Sequence, residues 1–353
     1  MGTTNGIAPV ILEDMEQIVS DANIKWNDLR DCTVLVTGAT GMIGSSLVRA
    51  LFAANTKYKL NLRILACGRN KEKGTTLAEA YGMEFFCHDI CQPFTVAGRV
   101  DFIFHCAAIT RSTEMVENPT GVIQTMFLGT RNVLELAKDK QIKSMVYLSS
   151  MEVYGATSPE LPSITEKELG YIDLASPRSC YPESKRMCEC LCAGYFSQFR
   201  IPVKIARLAQ VFGAGTAKDD PRVFAQFARS AASGKDIVLH TEGKSSGNYC
   251  EISDAVRGLL VLLLLGKNGE AYNIANTGAC MTIREMAELV ANVVCGGRIS
   301  VVLDVPSDIE KRGYAPDATI KLNVDKITKL GWNPRYNLTE MYEWLLADWR
   351  SDI

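Results

Sequence analysis

The chain has 353 residues, 47% hydrophobic and 22% charged, which excludes disorder, a coiled coil and a collagen-like repeat and fits roughly two domains, or one large α/β domain with an appended lobe. Lysines and arginines number 38 against 40 acids, a net charge of -2, which argues against nucleic acid as a partner. The apolar run Leu259–Leu265 is far shorter than the ~20 residues that span a bilayer.

The first residues, Met1 to Gly6, carry neither the basic region nor the apolar stretch of a secretory signal, so a cytoplasmic protein with no membrane partner is expected. The 12 cysteines form no Cys-x-x-Cys pair, and three histidines (His88, His105, His240) add little to complete a metal site. No metal is expected, and the thiols read as reduced small hydrophobes.

In chain order, residues 1–31 form an N-terminal extension with a short amphipathic helix (Ile11, Leu12, Met15, Ile18, Val19) and a turn near Trp26–Asp28. From Cys32, short β-rich runs alternate with helical stretches. Strands are expected at Thr33–Thr37, Arg63–Cys67, Glu84–Cys87, Phe102–His105, Ser144–Ser149 and Val203–Leu208, with helices at 42–54, 71–81, 119–140 and 178–199. Such alternation defines an α/β fold, a Rossmann-type doubly wound parallel sheet over residues 32–212. Residues 213–353 read as a smaller α+β lobe that binds substrate and is interleaved with the sheet. Its expected elements are a helix at 222–234, a strand at Ile237–Leu239, a helix at Ser253–Leu265, strand Tyr272–Ile274, a helix at 282–294 and strand Ser300–Leu303.

The strongest motif joins an apolar strand to a helix through Gly38-Ala39-Thr40-Gly41-Met42-Ile43-Gly44. Gly38 permits a tight turn, Gly41 lets backbone approach a pyrophosphate, and Gly44 lets the helix pack closely on the strand. The helix N-terminus then offers N–H groups and a positive dipole end to the phosphates. Thr40, Met42 and Ile43 belong to the same dinucleotide loop. After the second strand comes Arg69-Asn70 with no carboxylate, so the cofactor is NAD or NADP, with Arg69 favouring the 2′-phosphate of NADP. Asp89 with Ile90, and Ala107 with Ala108, end the next two strands and extend the same groove.

Ser149-Ser150 closes the fifth strand, and Tyr181 and Lys185 lie four apart on the helix that follows, hence on one face. An ammonium and an oxidised nicotinamide near a tyrosine are expected to lower its pKa from ~10 towards neutrality. Tyr181 then removes a proton from a substrate alcohol while Ser150 holds the same oxygen.

These motifs resemble the extended short-chain dehydrogenase/reductases of the NAD-dependent epimerase/dehydratase family, which act mainly on nucleotide sugars. The resemblance runs from about Cys32 to Trp332 and rests on the glycine loop, Ser149–Gly155, the Tyr181/Lys185 pair, Arg207 to Gly213, Asp254 and Leu330–Pro334. The string Arg178-Ser179-Cys180-Tyr181 with Lys185-Arg186 is most similar to UDP-glucuronate decarboxylases. The resemblance implies catalytic Ser150, Tyr181, Lys185 and Glu152, and substrate contacts at Thr110, Ser150, Met151, Gln210, Arg222 and Lys244. It also implies a nucleotide-sugar substrate and a homodimer built on helices 119–140 and 178–199.

Several positions depart from the family pattern. Met151 stands where dehydratases carry an acid and decarboxylases a serine, Met126 where an asparagine is usual, and Gly247 where an arginine grips the substrate diphosphate; at a fourth, Gln210 replaces a common asparagine. Either Lys244, Arg222 or another basic residue takes the place of that arginine, or the substrate is not a standard nucleotide diphosphate sugar. The expected activity is transient oxidation at a sugar C4 hydroxyl, with epimerisation ranked first. UDP-glucuronate decarboxylation and 4,6-dehydration are the alternatives. A reading of another class, a catalytically silent NADP-binding scaffold or sensor, is opposed by the complete Ser150/Tyr181/Lys185 set.

Overall fold

A computed structural model describes residues 9–305 and 318–351; Met1 to Gly6, read above for a targeting signal, lie outside them. In chain order the strands are β1 Thr33–Thr37, β2 Arg63–Gly68, β3 Glu84–Cys87, β4 Phe102–His105, β5 Ser144–Ser150, β6 Val203–Leu208, β7 Gln210–Phe212, β8 Ile237–Leu239, β9 Ser246–Glu251, β10 Ala271–Ile274, β11 Asn276–Thr282, β12 Val301–Leu303 and β13 Thr319–Ile320. The helices are α1 Pro9–Val19, α2 Met42–Tyr58, α3 Lys71–Tyr81, α4 Ser112–Glu117, α5 Pro119–Lys140, α6 Cys180–Phe199, α7 Val223–Ser233, α8 Ile252–Leu265, α9 Ile283–Leu289, α10 Asp325–Thr328 and α11 Leu338–Ser351.

Seven parallel strands form the main sheet in the order β10-β6-β5-β4-β1-β2-β3. All six expected strands are present. Their order reverses beside β1, which opens a crevice at the carboxyl ends of β1 and β4, where an open α/β sheet binds its ligand. Alternation divides the core: Val34 and Val36 face one layer with α2 and α8, while Leu35 faces the other with α5 and α6. The near-continuous apolar runs Val34–Val36 and Phe102–Phe104 follow from burial on both faces.

The seventh strand, β10, follows α8 in the chain yet pairs with β6, so two late elements complete the main sheet, in keeping with the expected interleaving. A second sheet, β11-β9-β13 with β7 on β9, and the pair β12-β8 build the rest of the C-terminal part around Phe212, Phe224, Tyr249, Met286 and Tyr342. The helix expected at 282–294 is α-helical to Leu289 and continues as a π-helical turn over Val290–Val294. Helix α6 begins at Cys180, two residues later than expected, because Pro177 opens a separate short 3-10 turn.

The N-terminal extension packs against α2, α8 and α11. Trp26 Nε1 and Tyr58 Oη both donate to the Val19 carbonyl at 3.0 Å. Asp21 pairs with Arg257, and Arg335 reaches the same carboxylate at 3.2 Å. All 12 cysteines are free thiols. Cys188 and Cys192 are buried on one face of α6 and Cys190 is exposed on the other. Among the described residues no helix is long and apolar enough to cross a membrane.

Candidate active site

At the end of β1, Gly38 has φ +69°, and a Cβ there would stand 2.7 Å from the Ala107 nitrogen. A Cβ on Gly44 would overlap the Gly38 carbonyl. Two glycines are thus required for the loop to sit between β4 and α2. No side chain caps α2 at Gly41, so its first-turn N–H groups remain for an anion. Thr40 lies beside Gly68 at the end of β2. The bare cradle at Gly38, Gly41 and Ala107 fits a dinucleotide pyrophosphate.

Arg69 is exposed just beyond β2. It lies close enough to Asp89 to help hold that carboxylate below its usual range, after the Cys91 N–H, which donates to it at 3.0 Å. The Asn70 side chain caps α3 by accepting the Lys73 N–H at 2.9 Å. Ile90 is buried over Gly129, and its carbonyl accepts from Asn132 Nδ2 at 2.8 Å. Ala107 and Ala108 line the end of β4, half-buried, and Thr110 is exposed beyond them. Behind this wall His105 is buried between Thr37 Oγ1 (2.7 Å) and Thr130 Oγ1 (3.2 Å). Burial, with Lys185 nearby, holds its pKa down to about 3, so it stays neutral.

The reactive residues meet at the end of β5. Ser150 opens a 3-10 turn over Met151–Tyr154, and its hydroxyl accepts the Glu152 N–H at 3.2 Å. The same hydroxyl lies near enough to Tyr181 to act against the rise in its pKa. Lys185 is 3% exposed, donates from Nζ to the Leu148 carbonyl at 2.5 Å and lies 5.7 Å from the centre of the Tyr181 ring. Burial lowers the Lys185 pKa to about 8. Tyr181 departs from expectation: burial, then the Glu152 carboxylate, push its pKa up, and Ser150, Arg178 and Arg222 only offset this. The expectation rested on the ammonium and an oxidised nicotinamide, and desolvation of the phenol opposes both.

Glu152 is half-buried and ion-paired with Arg178 at 2.8 Å, and the Arg178 guanidinium lies 5.9 Å from the Tyr181 ring centre. Arg222 faces the same tyrosine, held by Asp220 at 2.6 Å. Met151 is buried, and a Cβ on Gly247 would stand 3.7 Å from its methyl carbon. Gln210 begins β7, half-buried and in register with Tyr249. Lys244 is exposed and ion-paired with Glu242. Met126 is buried, its carbonyl accepting from the Cys188 thiol at 3.3 Å.

Beneath the turn, Glu189 accepts from Ser149 Oγ at 2.5 Å and from Arg207 at 2.7 Å. Arg207 donates to Tyr154 Oη at 3.1 Å, which donates to Asn273 at 2.6 Å. This buried network fixes the turn that carries Ser150 and Glu152. Sequence reasoning left it unassigned, and it left Arg178 without a role. Each pair joins elements distant in the chain, which no spacing rule marks.

A glycine loop at the crevice of a doubly wound sheet, with serine, tyrosine and lysine gathered at the adjoining strand end, defines an α/β enzyme that binds a nicotinamide dinucleotide. Residues 34–275 match the model of the NAD dependent epimerase/dehydratase family, and the chain belongs to that family. It is 33% identical over 322 residues to UDP-glucuronic acid decarboxylase 6 of Arabidopsis thaliana, covering 90% of this chain and 88% of that one. Solved structures of similar fold include a UDP-N-acetylglucosamine 4-epimerase from Methanobrevibacter ruminantium M1, at a TM-score of 0.77 and 19% identity over 92% of this chain and 100% of the other. An epimerase from Methanothermobacter thermautotrophicus has a TM-score of 0.75 and 22% identity over 98% and 96% of the two chains. The protein is therefore an enzyme of the NAD-dependent nucleotide-sugar epimerase, dehydratase and decarboxylase group.

Proposed function

We propose that the enzyme oxidises C4 of UDP-glucuronate and that the 4-keto acid then loses carbon dioxide. The observation that carries this reading is the Ser150/Tyr181/Lys185 set with Glu152 beside it, in a chain 33% identical to a UDP-glucuronic acid decarboxylase. Gly38, Thr40, Gly41, Met42, Ile43, Gly44, Asp89, Ile90, Ala107 and Ala108 hold the dinucleotide, which supplies the hydride acceptor and donor. Tyr181 takes the proton of the C4 hydroxyl, and Ser150 orients that oxygen. Lys185, anchored on Leu148, favours the phenolate. In the 4-keto acid the C5–C6 bond breaks and its electron pair moves to the C4 oxygen, where the Tyr181 and Ser150 hydroxyls stabilise the enolate. A proton then enters at C5, and the carbonyl is reduced back to the alcohol.

Epimerisation, ranked first from the sequence, is the second reading. It is favoured by the apolar Met151 facing Gly247 in the substrate region. Arg222 takes the part of the diphosphate-binding arginine missing at 247, with Thr110, Gln210 and Lys244 as further contacts around the sugar nucleotide. The exposed Arg69, with no acid at 68–71, makes NADP at least as good a cofactor as NAD. Residues 213–353 mainly supply the substrate lobe. Exposed Ile123 on α5 and Met187 on α6 support a homodimer through those helices, and the free thiols suit a cytoplasmic enzyme.

Incubation with UDP-glucuronate and other nucleotide sugars, read by chromatography with mass spectrometry, tests the reading. A UDP-sugar lighter by carbon dioxide is the expected product. A product of unchanged mass and shifted retention replaces decarboxylation with epimerisation.

A further inference from the structure

The turn after β5 and the turn before α6 bring one carboxylate and one guanidinium together near Tyr181. Arg178 Nη2 donates to Glu152 Oε2 at 2.8 Å, and both side chains are about one-third exposed. The charged groups facing the tyrosine from the elements around it are Glu152 beyond β5, Arg178 and Lys185 on the α6 side, and Arg222 before α7. Lys185 is committed to the Leu148 carbonyl and Arg222 to Asp220. Arg178 is the cation that directly offsets Glu152. We propose that Arg178 is a positioning residue: its guanidinium holds the Glu152 carboxylate in an ion pair beside Tyr181 and so sets the charge that the tyrosine oxygen meets when it gives up its proton.

Two consequences separate this from a purely structural salt bridge. An exposed ion pair contributes little to stability, so its loss leaves the fold intact. Without Arg178, however, Glu152 stands as an uncompensated anion next to a phenol that must become a phenolate. The damage then falls on ionisation at Tyr181, and it disappears when Glu152 is also neutralised. Arg178→Lys keeps the charge and loses only the planar fork.

The inference rests on reading Tyr181 as the base that deprotonates a sugar alcohol. It is tested first by spectroscopic titration of the enzyme saturated with NAD, following the phenolate absorption that Tyr181→Phe removes. In Arg178→Met the midpoint is expected to rise by about one pH unit, a tenfold weaker ionisation. Arg178→Lys is expected near the wild type, and so is Glu152→Gln/Arg178→Met, which removes both charges. Arg178→Gln serves as a second neutral variant, and unchanged NAD affinity certifies the fold of each. The alkaline shift should also appear in the pH profile of kcat/KM, with about a tenfold loss at neutral pH. An unmoved midpoint, or a double variant as impaired as Arg178→Met, overturns the inference even if UDP-glucuronate is decarboxylated. A shifted midpoint in an enzyme that leaves UDP-glucuronate untouched overturns the decarboxylase reading and leaves the role of Arg178 standing.

Discussion

Replacing Gly38 by alanine isolates the physics of the cofactor loop. At φ +69° a residue with a Cβ pays about 1–2 kcal/mol for the left-handed backbone. The new carbon would also stand 2.7 Å from the Ala107 nitrogen and 2.8 Å from its Cα, so β4 and the loop must move apart. Overpacking of this kind adds about 1–3 kcal/mol. Gly82 provides the control: φ is +58°, and nothing lies within 4 Å of a Cβ built there. Gly82→Ala should therefore cost only the backbone part, about 1–2 kcal/mol in urea unfolding, and leave cofactor binding alone. Gly38→Ala should cost roughly 2–5 kcal/mol in the same assay and weaken NAD binding by at least tenfold in calorimetry, about 1.4 kcal/mol. Equal stability losses in the two variants, with NAD affinity unchanged in Gly38→Ala, would refute the close-approach argument.

The buried ion pair under the active-site turn should behave differently from a surface pair. Arg207→Met strands Glu189 without its counter-ion, and a loss of about 3–5 kcal/mol is expected in urea unfolding, most of it recovered in Glu189→Met/Arg207→Met. Asp14 on α1 and Glu251 on β9 are buried together, each with one oxygen lacking a hydrogen-bond partner among the described residues. Burial, then mutual repulsion for Asp14, pushes the pair's pKa values up. The folded state thus holds a proton that the unfolded chain releases above about pH 4, so wild-type stability falls as pH rises from there through neutrality. Asp14→Asn should flatten that decline in melting temperatures taken at pH 5, 7 and 9; a steeper decline would show the assigned direction to be wrong. Tyr181→Phe should lower kcat by a factor of about 10²–10⁴ while NAD binding persists, measured by single-turnover kinetics and calorimetry.

Much of this protein is written locally. The short apolar strand runs, the three glycines between β1 and α2, and the Tyr181/Lys185 spacing on α6 are patterns of contiguous residues. Gly38 turns the chain through a left-handed φ, and Tyr181 and Lys185 share a face because a helix turns every 3.6 residues. For that reason the sheet, the crevice and the gathering of Ser150, Tyr181 and Lys185 beside it are legible in the amino-acid sequence alone. What stays hidden there depends on which distant segments come to rest together. Strand β10 completes the main sheet from beyond α8, and the Arg178–Glu152 pair joins two turns 26 residues apart. Gly247 makes room beside Met151, and Asp14 meets Glu251 across most of the chain. Desolvation of Tyr181 belongs to the same class, since the solvent excluded from a phenol is a property of every layer around it. Local sequence determines conformations and repeating faces; only the closed tertiary structure decides which charges lose their water and which partner each then meets.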